Sequence, residues 1–385
     1  MSNAQRRLAE KAYPFLFVLA ITYMLARTWS LLMQPVLVKV LPYAFRDDDF
    51  FSFSSGHIRR GLIGEFLYLL QRNGINSIIV FTALLLLAYV IIYGKIFFRL
   101  LQTLPLTERY LLLLTPFVMN MGIDRELFIL LPLVWFYYRK QTDLVFYLII
   151  AVILFIHEIA LLFYLPFIAA LFLKTSPLKK IQRTLAIGSI LTALIILFGI
   201  KEHITNTLEL SFWPTQGVTG LTQTYLYTFG GMPVSALLRN HGSILLLNIE
   251  TLYALPGILL FLAYSFSCLN RKQWLPYTTL FYLGVNALFF IMTIDYGRYF
   301  YHLFFLYLFL QTSGLAEKAE TTLKSIAAPM IGKWIVRLPK FAIQQYHIWI
   351  LLLFINAPIG YWVRHTELSP RWWQEIEFLI TQFNT

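Results

Sequence analysis

Long apolar runs alternating with short basic clusters set the elements of this chain. Runs at about 13–33, 75–98, 184–200, 243–269 and 346–363 are each near the ~20-residue length that crosses a ~30 Å hydrocarbon core as one helix. Three other stretches, 105–138, 143–173 and 276–312, are too long for one crossing. As a single helix the first would reach ~51 Å at 1.5 Å per residue. Each has basic residues at or near both ends and ionisable residues near its middle: Asp124-Arg125-Glu126, His157-Glu158, and Asp295 with Arg298. That pattern predicts helical hairpins whose arms of roughly 15 residues fall short of a full crossing, so the charged tips sit below the outer surface.

Residues 47–72, DDDFFSFSSGHIRRGLIGEFLYLLQR, break the apolar rhythm. Ser54 or Ser55 caps a predicted helix that runs to about Arg72 and stops at Asn73-Gly74. Ile58, Leu62, Phe66 and Leu69 recur at helical spacing, while His57, Arg60, Glu65 and Gln71 fall elsewhere on the wheel. Such a pattern suits a helix lying in the membrane interface.

Composition agrees with a membrane setting. Of 385 residues, 58% are hydrophobic and only 13% charged, against about a quarter charged in soluble domains. The net charge of +12 comes without a nucleic-acid-binding motif and reflects orientation instead. Arg6, Arg7 and Lys11 put the N-terminus in the cytoplasm. The 313–345 connector, with Lys318, Lys324, Lys333, Arg337 and Lys340, falls on the same side, and the tail bearing Trp372-Trp373 falls outside. The 34–74 and 201–242 connectors are then extracytoplasmic. Cys268 is the only cysteine, so neither an intrachain disulfide nor a thiolate metal cluster can form. The expectation is an all-α polytopic membrane protein, a single transmembrane domain over residues 1–385 with about 11 transmembrane helices.

Charges at membrane depth face water or pair with one another, so the three tips predict a polar cavity open to the outside. Asp47, Asp48 and Asp49 could bind a divalent cation, Mg or Mn, through oxygen ligands, act as a general base, or form a solvated loop. His57, Arg59 and Arg60 suit phosphate oxygens at a helix N-terminus; the alternative is snorkelling to lipid headgroups. Asp124, Arg125, Glu126, Asp295 and Arg298 bind substrate or form structural pairs at their tips. His157 with Glu158 is a candidate for proton transfer, and its spacing fails the zincin pattern.

An N-in first span followed by an acidic outer loop (Asp47-Asp48-Asp49) and an amphipathic juxtamembrane helix resembles the first module of the GT-C class of integral membrane glycosyltransferases. The resemblance implies a sugar donor linked to polyprenyl phosphate or pyrophosphate, a glycan or lipid acceptor, and a bacterial inner-membrane location. It implies that Asp48 or Asp49, or His157 with Glu158, activates the acceptor hydroxyl, and that Arg59, Arg60, Arg125 and Arg298 neutralise the leaving phosphate. O-antigen and exopolysaccharide polymerases are similar in architecture. The match brings neither a soluble C-terminal domain nor a very large outer loop, which leaves transferase and polymerase both open. A polysaccharide transporter or flippase, or a non-enzymatic membrane subunit, is the rival from another class. Against the transporter, no inverted repeat is visible.

Overall fold

Helices make up all the regular structure among the described residues, as apolar runs punctuated by polar breaks dictate. The computed structural model describes residues 10–19, 61–75, 77–106, 125–157, 159–199, 273–292 and 296–335, with isolated positions at 7, 21, 22, 25, 26, 109, 261, 262, 264, 265 and 268. The chain divides into two compact units, one of Val40–Phe98 and Ile123–Pro233, the other of Met1–Lys39, Arg99–Gly122 and Val234–Thr385.

In the first unit α1 (Gly61–Arg72) is followed by α2 (Ser77–Ile91). Gly74, at φ +74°, supplies the left-handed turn between them, a conformation glycine adopts without steric cost. Asn73 Nδ2 donates to Leu69 O at 2.7 Å, so α1 stops where the Asn-Gly pair predicts. From α2 the chain continues through a π-helical stretch, Ile92–Phe97, into α3 (Phe98–Thr103), which from Arg99 on belongs to the second unit. Ile79–Thr103, 25 residues with a mean hydropathy of 2.2, is long and apolar enough to cross a membrane. Shorter apolar helices follow it.

A 3-10 turn, Arg125–Leu130, leads into α4 (Leu131–Arg139), then α5 (Leu144–Ile156), α6 (Ala160–Phe172) and α7 (Lys180–Gly199). Asp143 makes the α4–α5 turn. Its carboxylate caps α5 by accepting from Phe146 N at 3.0 Å, and it accepts the Trp135 indole N–H at 2.7 Å. Ring contacts settle the direction of the next turn: Phe146, near the start of α5, lies 6.3 Å from Tyr164 and 5.8 Å from Phe167 on α6. Those residues straddle His157 almost symmetrically, so the chain doubles back there. This is the hairpin expected over 143–173. Each arm has 13 residues, about 20 Å at 1.5 Å per residue.

On α7 the buried stripe is Ala186, Ile190 and Ala193, small enough on two of its three positions to let α5 approach closely. Ile181 and Ile195 face outward at 77% and 69% exposure.

The second unit holds another hairpin, α8 (Pro276–Met292) and α9 (Tyr296–Ser313), then α10 (Leu315–Ile335). Tyr282 and Tyr307 lie 6.0 Å apart across it. Its arms have 17 and 18 residues, about 26–27 Å, so this hairpin comes much nearer a full crossing than the short arms expected from sequence. Gly314, at φ +78°, turns the chain from α9 into α10.

Tyr307 is the polar hub of this unit. Its hydroxyl meets Thr279 Oγ1 at 2.5 Å and accepts from Gln311 Nε2 at 2.9 Å, while its ring lies 4.7 Å from Phe261. Tyr307→Phe should keep the packing yet strand Thr279 and the Gln311 amide, at a cost of about 1–3 kcal/mol. Thermal unfolding in detergent micelles checks this, and an unchanged midpoint would show that the hub contributes nothing to stability.

Candidate functional site

His157 ends α5 because its backbone leaves the helical region, at φ −155° and ψ 113°. Its N–H still donates to Ile153 O at 2.8 Å, and its carbonyl accepts from Ala160 N at 3.1 Å, which starts the return helix. The imidazole is fully buried, and its Nδ1 accepts from Ile159 N at 3.3 Å. A neutral ring whose Nδ1 is an acceptor carries its proton on Nε2. In this state His157 offers a donor through Nε2.

Arg125 and Glu126 open the 3-10 turn that precedes α4. That turn is held to the His157 hairpin by Tyr164, whose buried hydroxyl donates to Ile129 O at 2.6 Å. Ile129 is about 8 Å beyond Arg125 at 2.0 Å per residue, and Tyr164 is about 6 Å along α6 from Ala160 at 1.5 Å per residue. The start of the 3-10 turn and the His157 turn therefore lie at the same end of the unit. The sequence signal for this link is Tyr164 itself, since a tyrosine inside an apolar hairpin arm needs an acceptor for its hydroxyl.

Helix α1 packs on both α2 and α5, joining the same unit as His157. Ile63 and Leu67 are buried, whereas Phe66 and Leu69 are 42% and 46% exposed. Phe66 and Leu69 thus lie on the outer face, while Leu62 and Glu65 are half-buried on α1.

Asp47, Asp48, Asp49, His57, Arg59, Arg60, Asp124, Glu158 and Asp295 lie outside the described residues. Arg298 is on the first turn of α9, in the other unit. Among the described residues no group of three His, Cys, Asp or Glu is placed to hold a metal ion, and the expected metal ligands Asp48 and Asp49 are not among them. No protein family, curated protein or solved structure matches the chain.

Proposed function

We propose that the chain is a polytopic glycosyltransferase of the bacterial inner membrane. In this reading it takes a sugar from a polyprenyl-phosphate or pyrophosphate carrier on the extracytoplasmic side and delivers it to a glycan or lipid acceptor. The membrane part is supported by outward-facing Ile181, Leu185 and Ile195 on α7 and by the apolar length of Ile79–Thr103. One observation carries the choice of site: the Tyr164 to Ile129 hydrogen bond joins the His157 turn to the segment opening at Arg125. A buried imidazole donor and a guanidinium-bearing segment at one end suit a site where phosphate leaves. The base is Asp48 or Asp49 of the outer loop, or His157 with Glu158.

Lipid-linked glycans extracted from a deletion strain test this reading. The deletion should accumulate unconsumed donor or acceptor, and complementation with the chain carrying alanine at Asp47, Asp48 and Asp49 should lower product by about 10²-fold or more. Wild-type product from that triple variant would sink the loop-base assignment. Accumulation of complete but unjoined repeats would instead identify a polymerase.

A further inference from the structure

A polar seam runs up the buried face of α8. Thr278, Tyr282 and Asn286 recur every fourth residue and are almost entirely enclosed, so they share one face of the helix. Lower on the seam the hydrogen bonds are accounted for. Thr278 Oγ1 donates to Glu320 Oε2 at 2.9 Å, Thr279 meets Tyr307, and the buried Ser265 hydroxyl donates to Phe261 O at 2.7 Å. Asn286 differs. It is 2% exposed, and neither its Oδ1 nor its Nδ2 has a hydrogen-bond partner.

An amide enclosed without partners is costly in a protein interior, and the alternative in a bilayer is no better. Asn286 also lies six residues before Met292, about 9 Å from the end of α8 that leads into the hairpin tip. A primary amide presents one acceptor and one donor side by side, which complements a single hydroxyl group, itself both donor and acceptor. An ion is the poorer fit, because Tyr282 and Val285, the buried α8 residues next to Asn286, are neutral.

We propose that Asn286 is the recognition residue of an internal hydrated site that takes a neutral hydroxyl group, from water or from a sugar. Where a sugar supplies it, the inference rests on the glycosyltransferase reading, and Asn286 then contributes to choosing which sugar is accepted.

Cysteine labelling and unfolding of the full chain in detergent test the site without reference to activity. In a Cys268→Ala background, Asn286→Cys should react with a small charged thiol reagent at least about tenfold faster than Val285→Cys, because thiol reactivity follows access to water. Val285 is its buried neighbour on α8. Equal rates would overturn the proposal. Asn286→Leu removes the amide's bonds to the enclosed hydroxyl and should lower the unfolding midpoint by roughly 2–4 °C, whereas a rise would show an amide with nothing bound to it. Glycan product separates the two sources: Asn286→Leu lowers it if a sugar hydroxyl is bound and leaves it unchanged if water is. A deletion strain with unaltered lipid-linked glycans would defeat the glycosyltransferase reading alone, since labelling and unfolding still decide the site.

Discussion

Phe146→Ala is expected to destabilise the first unit by about 2–4 kcal/mol, the range for emptying an aromatic core position. Phe146 is fully buried and stacks edge-on against Tyr147, Tyr164 and Phe167, with centroids 5.3, 6.3 and 5.8 Å away. Its contacts are the ones that close the His157 hairpin. In a micelle or bilayer the unfolded side chain stays in apolar surroundings, so the transfer contribution shrinks and the lost packing dominates. The comparison variant is Leu148→Ala on the same helix, where the side chain is 37% exposed and the change should stay within about 1 kcal/mol. Equilibrium unfolding in mixed micelles measures both. Equal losses at the two positions would mean that the ring cluster does not hold the hairpin.

Glu320→Ala should cost about 2–3 kcal/mol in the second unit, by exposing a helix start. The α8 helix begins at Pro276 with first-turn N–H groups that its own carbonyls cannot satisfy. Glu320, reaching across from α10, accepts from Tyr277 N at 3.3 Å, Thr278 N at 2.8 Å and Thr278 Oγ1 at 2.9 Å. Charge-assisted bonds of this kind contribute about 1.5–3 kcal/mol, and the negative charge also suits the positive end of the helix. Glu320→Gln keeps an acceptor oxygen without the charge, so it should lose about half as much. Glu320→Ala combined with Thr278→Val should cost clearly less than the two single losses added, because one interaction is being removed twice. Strict additivity of unfolding energies would refute the side-chain bond, and an unchanged stability in Glu320→Ala would refute the cap.

Much of the helical layout was legible in the residues. Asn73-Gly74 marked the end of α1, and Lys174 with Lys179 and Lys180 marked the turn before α7. The polar His157-Glu158 pair marked the point where an overlong apolar stretch folds back. These signals are local: polar groups and turn formers interrupt an apolar helix wherever the backbone must leave it. Apolar length was a less exact guide to the 276–312 hairpin. Hydropathy reports where an apolar stretch ends, and it does not report how many residues the turn itself takes.

The faces of the helices were a different matter. On α1 the periodicity identified an amphipathic helix, but Ile63 and Leu67 pack inward while Phe66 and Leu69 point out. On α7 the inward stripe, Ala186, Ile190 and Ala193, is less bulky than the isoleucines it leaves exposed. The link from Tyr164 to Ile129, the Nδ1 bond of His157 and the enclosure of Asn286 likewise join residues whose sequence positions do not announce one another. The sequence alone determined that the chain is apolar and helical and where its helices break. Only the tertiary structure decided which side of each helix meets protein. Beside lipid, the outer face is as apolar as the inner one, so hydrophobicity stops distinguishing them and packing shape takes over.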